Sequence, residues 1–334
     1  MDLTVIIPTC RRPEMLRTAL ASVGRQRAQD RIAAVHVSEN GGDRSSESVC
    51  REFPGLPIRY TFREPALLPN PHFVALGNSV TTDYVAVLHD DDWWAPHHLA
   101  QSLADLDANP LAAARYAAFS EVAAETTPAQ GDPSFACWLG AGFPATTGVW
   151  SLSAPNVSLA CLAGTPLRYS CLIARRTALQ SSLGVYELGN PFDTDRMLSV
   201  ALSRQGSVLF DPVPAVFIRM HPQQDGRNFD AEKTIAHMTD TTRWILQTTR
   251  DAGVDLENLL ATRLQSCPQS QLNAVLSLLR APWCIQGLKL ENQIPPALDQ
   301  FDALHSRPVG LELTWTAFLP PLALALGRKL FRRS

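Results

Sequence analysis

Four short strand-like runs, Leu3 to Pro8, Ile32 to Ser38, the more polar Pro57 to Phe62, and Tyr84 to Leu88, punctuate the first ninety residues. The first and last are uninterrupted and rich in β-branched residues, the pattern of strands buried on both faces of a largely parallel sheet. Between them the apolar spacing changes to that of helices. Leu16, Ala19, Leu20 and Val23 share one helical face behind Arg11-Arg12-Pro13, and a second helix is predicted around Phe73 to Val80. Arg63 to Pro71 carries three prolines and reads as loop. Strand and helix recur at intervals of roughly 25 to 30 residues, which implies βαβ units and an α/β fold class with a mainly parallel sheet flanked by helices. No Gly-x-Gly-x-x-Gly follows the first strand, which argues against a dinucleotide site.

The fourth run stops abruptly at Asp90, Asp91 and Asp92. Three adjacent like charges repel one another unless a cation or a set of donors compensates them, and a hard metal is the simplest compensation. Trp93-Trp94-Ala95-Pro96 then leads into Leu99, Leu103 and Leu106, predicted as one face of a helix with Pro96 in its first turn. The acids would thus sit on a tight strand-to-helix loop at a strand's carboxyl end, where open α/β sheets bind ligands. A plain helix cap needs only one oxygen, so capping alone explains one of the three. Glu39-Asn40-Gly41-Gly42 places another acid at the carboxyl end of the second strand.

Further along, Ser120 to Leu167 loses periodicity, and Trp138, Phe143 and Trp150 within it either line an acceptor pocket or anchor the loop. Tyr169 to Ala174 reads as a strand, with Arg175-Arg176 opening a helix. Asn190 to Asp195 precedes a helix bearing Met197, Leu198, Ala201 and Leu202, stopped by Gly206. Ser207 to Phe210 and Val213 to Ile218 read as two short strands. Beyond Phe229 helices are expected at Ala231 to Thr249, Leu256 to Leu264 and Leu272 to Leu279, without evident chemistry. Leu313 to Leu326 is apolar, broken by Pro320-Pro321 and followed by Arg328-Lys329-Leu330-Phe331-Arg332-Arg333. It is too short to span a bilayer, but apolar bulk with a basic end suits an interfacial anchor.

With 334 residues and 46% hydrophobic content, the chain can bury one large domain with appendages, or two domains. A net charge of −3 gives no reason to expect a nucleic acid partner. Seven scattered cysteines without a Cys-x-x-Cys pair fit reduced thiols in the cytoplasm, and the opening strand pattern lacks the order of a signal peptide.

Taken together, Val5-Ile6-Ile7-Pro8-Thr9 with Arg11, Ser38-Glu39-Asn40-Gly41, Leu88-His89-Asp90-Asp91-Asp92-Trp93, and much later Phe217-Ile218-Arg219-Met220-His221-Pro222-Gln223-Gln224 resemble glycosyltransferase family 2, whose fold is called GT-A. Their order and spacing over residues 3 to 225 carry the resemblance, more than any one segment. It implies a GT-A domain over residues 1–225, with a donor half at 1–119 and an acceptor half at 120–225, and a helical C-terminal region over 226–334. The implied donor-binding residues are Pro8, Thr9, Arg11, Glu39, Asn40, Asp90, Asp91 and Arg219. Asp92 and His221 would bind a divalent metal, Mn2+ or Mg2+, and Asp195 would be the catalytic base, with Asp193 as its competitor or the helix N-cap. Two departures stand out: Glu39 occupies a position where the family usually has Asp, and His89 one where many relatives carry another Asp.

The resemblance further implies a nucleoside-diphosphate sugar donor, a carbohydrate or lipid-linked acceptor, and an inverting transfer in bacterial-type cell-surface polysaccharide or glycolipid assembly. The expected location is cytoplasmic, with Trp315 to Arg333 either resting on the inner face of the plasma membrane or packing on the core as an ordinary helix pair. Two rivals remain. A metal-dependent nucleotidyltransferase would place a glycine-rich basic loop after the first strand, and Pro8-Thr9-Cys10-Arg11-Arg12 has no glycine. A non-catalytic sugar-nucleotide-binding protein of the same fold would have no need of the acids at Asp90 to Asp92 and Asp195 or of His221.

Overall fold

The structure, a computed structural model, describes residues 2–123, 148–188, 194–221 and 231–255. Its first part runs β1 (Leu3–Thr9), α1 (Pro13–Gly24), β2 (Ile32–Asn40), α2 (Ser45–Arg51), β3 (Ile58–Arg63), α3 (Pro69–Asn78) and β4 (Tyr84–Val87). All four residues of β4 are buried, and α1 turns Leu16, Ala19, Leu20 and Val23 into the core, as their spacing requires. Helix α2 was not expected, because seven residues with only Val49 and Cys50 as buried apolar positions carry little periodic signal.

The second part runs β5 (Trp93–Trp94), α4 (His98–Ala108), β6 (Ala112–Val122), β7 (Trp150–Leu152), α5 (Ala154–Ala163), β8 (Leu172–Arg175), α6 (Arg176–Ser182), α7 (Thr194–Ser203), β9 (Ser207–Arg219) and α8 (Ala231–Asp251). One sheet, ordered β3-β2-β1-β4-β8-β6-β9-β5 with β7 also on β9, holds all nine strands. Pairing is parallel across β3-β2-β1-β4 and between β6 and β9. It is antiparallel where β8 sits between β4 and β6, and where β5 and β7 join β9. The α/β class and the parallel pairing across β3-β2-β1-β4 follow the expectation, with the sheet as a whole mixed.

Several local expectations need correction. Pro96 lies ahead of α4 and not in its first turn, because Trp93 and Trp94 pair with Val216 and Phe217 as a two-residue strand and delay the helix to His98. The two short strands after Gly206 are one strand. Pro212 and Pro214 lack amide protons, and the β6–β9 ladder absorbs them by shifting register between Ala117 and Phe119. Strand β6 and helix α5 went unread, since alanine-rich stretches carry little strand or helix periodicity. Trp150 anchors β7 with its ring 5.4 Å from Phe210, whereas Trp138 and Phe143 lie outside the described residues.

Helix α8 returns onto α5 and α7, burying Ile245 and Leu246, and Thr249 donates a hydrogen bond to Ser158 at 3.0 Å. Among the described residues no helix is long and apolar enough to cross a membrane, and the expected helices from Leu256 on and the C-terminal anchor lie outside them.

Candidate active site

Strand register assembles the site before any side chain is considered. In β1 and β2, Thr9 pairs with Glu39, and in β1 and β4, Ile6 pairs with Val87. Three residues beyond those partners, Thr9 and Asp90 emerge side by side at the carboxyl edge of the sheet. Thr9 Oγ1 donates to Asp90 Oδ2 at 2.7 Å. Arg12, just before α1, reaches Asp90 Oδ1 and Asp91 Oδ2, both at 3.3 Å.

All three acids are buried. Burial first, and the charge of Asp91 second, push the Asp90 carboxyl up to about 6, against the opposing pull of Arg12 and the Thr9 hydroxyl. The same two causes push Asp92 up to about 7, opposed by His89, Ser170 and the Arg219 amide. The protein's own donors therefore compensate this cluster only in part.

The far wall comes from the end of β9. Pairing of Trp93 with Phe217 carries Arg219 up to the acids. The Arg219 amide donates to Asp92 Oδ1 at 3.0 Å, its Nε donates to the Asp91 carbonyl at 3.0 Å, and its guanidinium lies 4.9 Å from the centre of the Trp93 ring. His221 Nε2 is 3.0 Å from Asp91 Oδ2, while its buried Nδ1 has no protein partner. Ligand atoms of His89, Asp91 and Asp92 all lie within 4.8 Å of one another. Asp92 thus lies in a group whose geometry could hold a cation, with His89 and Asp91 beside it and His221 one hydrogen bond from Asp91.

Residues 4–158 match the family model described as Glycosyl transferase family 2. That match covers 155 of the 334 residues. The fold of the chain is the GT-A type. In structure it is similar to Staphylococcus aureus TarS, with 14% identity and a TM-score of 0.53 over 90% of this chain; it spans 55% of that protein. A shorter TarS, residues 1–349 in complex with UDP-GlcNAc, gives 12% identity and a TM-score of 0.55, covering 91% of this chain and 92% of that one. The mannosyltransferase PcManGT from Pyrobaculum calidifontis, in complex with GDP-Man and Mn2+, gives 17% identity and a TM-score of 0.51, covering 100% and 88%. No curated protein matches the chain in sequence.

Within the matched segment, Glu39 is fully buried. Its Oε2 accepts hydrogen bonds from the Ser46 amide at 3.2 Å and the Tyr60 hydroxyl at 2.6 Å, while Oε1 has no protein partner. Gly42, at φ +106°, borders that oxygen: a Cβ there would meet Glu39 Oε1 at 3.2 Å and Arg11 Cγ at 3.0 Å. The exposed Arg11, itself at φ 55°, therefore shares the rim with Glu39, and Pro8 lies half-buried beside Ser38. Asn40 has a different task. Its amide donates to the Leu67 carbonyl at 2.8 Å and accepts the Leu67 amide at 2.9 Å, tying the proline-rich loop after β3 to the end of β2.

Asp195 lies in the first turn of α7, where the helix dipole favours a carboxylate. Its Oδ1 accepts the Tyr169 amide at 2.8 Å, and Arg168 NH1 is 4.0 Å from Oδ2. Asp193 lies outside the described residues. Three neighbours of the site had no assigned role in the sequence reading. The Arg12 contact spans 78 residues, and only its place beside Arg11 hinted at it. His89 was legible as a departure from the family pattern. Ser170 carried no signal at all.

Proposed function

We propose that the protein is a metal-dependent glycosyltransferase that moves a sugar from a nucleoside-diphosphate donor to an acceptor hydroxyl. The observation that carries this reading is the buried Asp90-Asp91-Asp92 cluster at the sheet's carboxyl edge, faced by Arg12, Arg219 and His221 and still short of positive charge. The donor set fits a divalent cation, and oxygen ligands mixed with imidazole suit Mn2+ better than Mg2+. PcManGT, similar in fold, is in complex with Mn2+ and GDP-Man, and TarS 1–349 with UDP-GlcNAc.

Asp92, Asp91 and His89 would hold the cation, with His221 adjoining through Asp91. When bound, it supplies Lewis-acid stabilisation of the departing diphosphate and a template for it. Arg12 and Arg219 add fixed positive charge at the same edge. The buried free oxygen of Glu39 accepts an N–H of the nucleobase, and Pro8, Thr9 and Arg11 border the nucleotide. Asp195 takes the acceptor hydroxyl proton, since an alcohol is a poor nucleophile at neutral pH. Its hydrogen bond from the Tyr169 amide fixes one carboxylate oxygen in place. Transfer in a single inverting displacement follows, with assembly of a bacterial-type cell-surface polysaccharide or glycolipid as the setting. The acceptor is a carbohydrate or lipid-linked chain, met at the inner face of the membrane.

A thermal-shift series with nucleoside diphosphates, with and without Mn2+, tests the reading. A ligand specific for the folded state raises its stability by mass action. Joint addition of Mn2+ and one diphosphate is expected to raise the melting temperature beyond either alone. If no diphosphate does so at millimolar concentration, the donor-site reading fails.

A further inference from the structure

Opposite the acid loop, the turn leading into β8 places one buried serine against three parts of the loop at once. Ser170 Oγ donates to Asp92 Oδ2 at 2.5 Å and accepts the His89 amide at 3.0 Å, and its carbonyl accepts Trp94 Nε1 at 2.7 Å. From these contacts we infer that Ser170 is a positioning residue for Asp92, fixing the direction in which that carboxylate offers its remaining lone pairs to a cation. The inference rests on the metal-binding reading above.

A serine hydroxyl has one proton and can rotate freely when nothing holds it. Here the acceptor side of Oγ is occupied by the His89 amide, which leaves the proton to point at Asp92. Asp92 is then gripped at both oxygens: Oδ1 accepts the Arg219 amide at 3.0 Å and Oδ2 accepts Ser170. Each carboxylate oxygen offers two acceptor directions, so one on each is taken by the protein and one on each remains. Two grips from opposite sides prevent the carboxylate from rotating about its last bond. Partners of this kind orient metal ligands, and losing one typically weakens metal binding 10- to 100-fold.

The same turn reaches the proposed base. The amide of Tyr169, one residue before Ser170, donates to Asp195 Oδ1 at 2.8 Å. Adjacent residues thus hold the acid that would bind metal and the acid that would take the acceptor proton. Disturbance at Ser170 has a short path to Asp195 as well.

The test measures Mn2+ binding to the full chain by the electron paramagnetic resonance signal of free Mn2+, without substrate or turnover. Circular dichroism checks the fold of each variant. Ser170→Ala is expected to weaken Mn2+ binding about tenfold or more. Ser170→Thr, which keeps the hydroxyl, is expected to stay within a few-fold of wild type. Should the alanine variant not fold, Ser170→Cys, close in shape but a weak donor, replaces it with the same expected loss. Wild-type affinity in the folded Ala or Cys variant, or a Thr variant as weak as Ala, would overturn the positioning role and leave the metal site standing. Folded wild type that takes up no Mn2+, with or without UDP or GDP, would remove the metal site and this inference together.

Discussion

Replacing Asp92 by Asn removes one charge from the acid cluster at nearly constant shape, and the structure sets both the sign and the size of the effect. Asp92 is buried, with its carboxyl pushed from 3.8 up to about 7. At about 1.4 kcal/mol per unit, the ionised form is disfavoured on the order of 4 kcal/mol relative to the unfolded chain. That figure is shared with Asp90, which is pushed up to about 6 by the same neighbours. A raised carboxyl binds its proton more tightly in the folded state than in the unfolded one. Metal-free protein should therefore lose stability as pH rises from about 4 to 7, with the whole penalty present above 7. Asp92→Asn cannot ionise, but its NH2 must face either the Arg219 amide or the Ser170 hydroxyl. One of the two hydrogen bonds is therefore lost at about 1 to 3 kcal/mol, and the net gain is a small part of the electrostatic one. In chelator at pH 8 it should melt a few degrees above wild type, taking roughly 2 to 4 °C per kcal/mol for a chain somewhat shorter than this one. At pH 5 the difference should shrink, and a smaller slope from Asp90 should remain in the variant. Adding Mn2+ with a nucleoside diphosphate should reverse the order, raising wild type and leaving the variant in place. Differential scanning fluorimetry across pH 5 to 8.5 reads all of this. An Asn variant less stable than wild type at pH 8 without metal, or equal stabilisation of both proteins by Mn2+, would refute the electrostatic account of the site.

Three other perturbations have definite expected outcomes. Asp195→Asn should keep Mn2+ and nucleotide binding while turnover falls by about 10² to 10⁴, as for a lost general base; turnover within a few-fold of wild type rules the assignment out. Gly206→Ala should lower the melting temperature by several degrees, because the added Cβ would lie 2.4 Å from the Leu111 carbonyl, a backbone atom with little room to move. An unchanged melting curve would show that the turn between α7 and β9 yields easily. Deletion of Thr316 to Ser334 should abolish sedimentation with anionic vesicles; retained binding, or none in wild type, contradicts the proposed anchor.

Much of the first ninety residues was legible because β1 and β4 are unbroken β-branched runs and α1 keeps its apolar positions on a single face. Strand β6 was not, for a physical reason. Ala112-Ala113-Ala114-Arg115-Tyr116-Ala117-Ala118 has a composition that favours helix, and it holds an almost fully buried arginine. Arg115 is tolerable there because Asp105 on α4 and Asp211 on β9 accept its hydrogen bonds at 3.3 and 2.5 Å, and the second partner is 96 residues away, beyond any local window. The site divides in the same way. Asp90 to Asp92 announce themselves as adjacent charges, and Arg219 and His221 through their order behind a strand. Ser170 and Arg12 gain meaning only when segments about 80 residues apart meet. Asn40 looked like a ligand contact, yet its amide pairs with the Leu67 backbone, a partner set by the path of a loop.

The two-residue strand β5 has an effect out of proportion to its length. With β4 on one side and Trp93-Trp94 paired to β9 on the other, the five residues from Leu88 to Asp92 form a loop anchored at both ends. Trp94 is 2% exposed, so the second anchor sits inside the core. Mutual repulsion among the acids cannot be relieved by the loop swinging into solvent. Under the proposed function, an incoming cation would meet carboxylates already gathered, and its binding would spend little free energy on ordering the chain. Affinity at this site is accordingly governed by electrostatics and desolvation, and should respond to pH and ionic strength far more than to changes in loop flexibility.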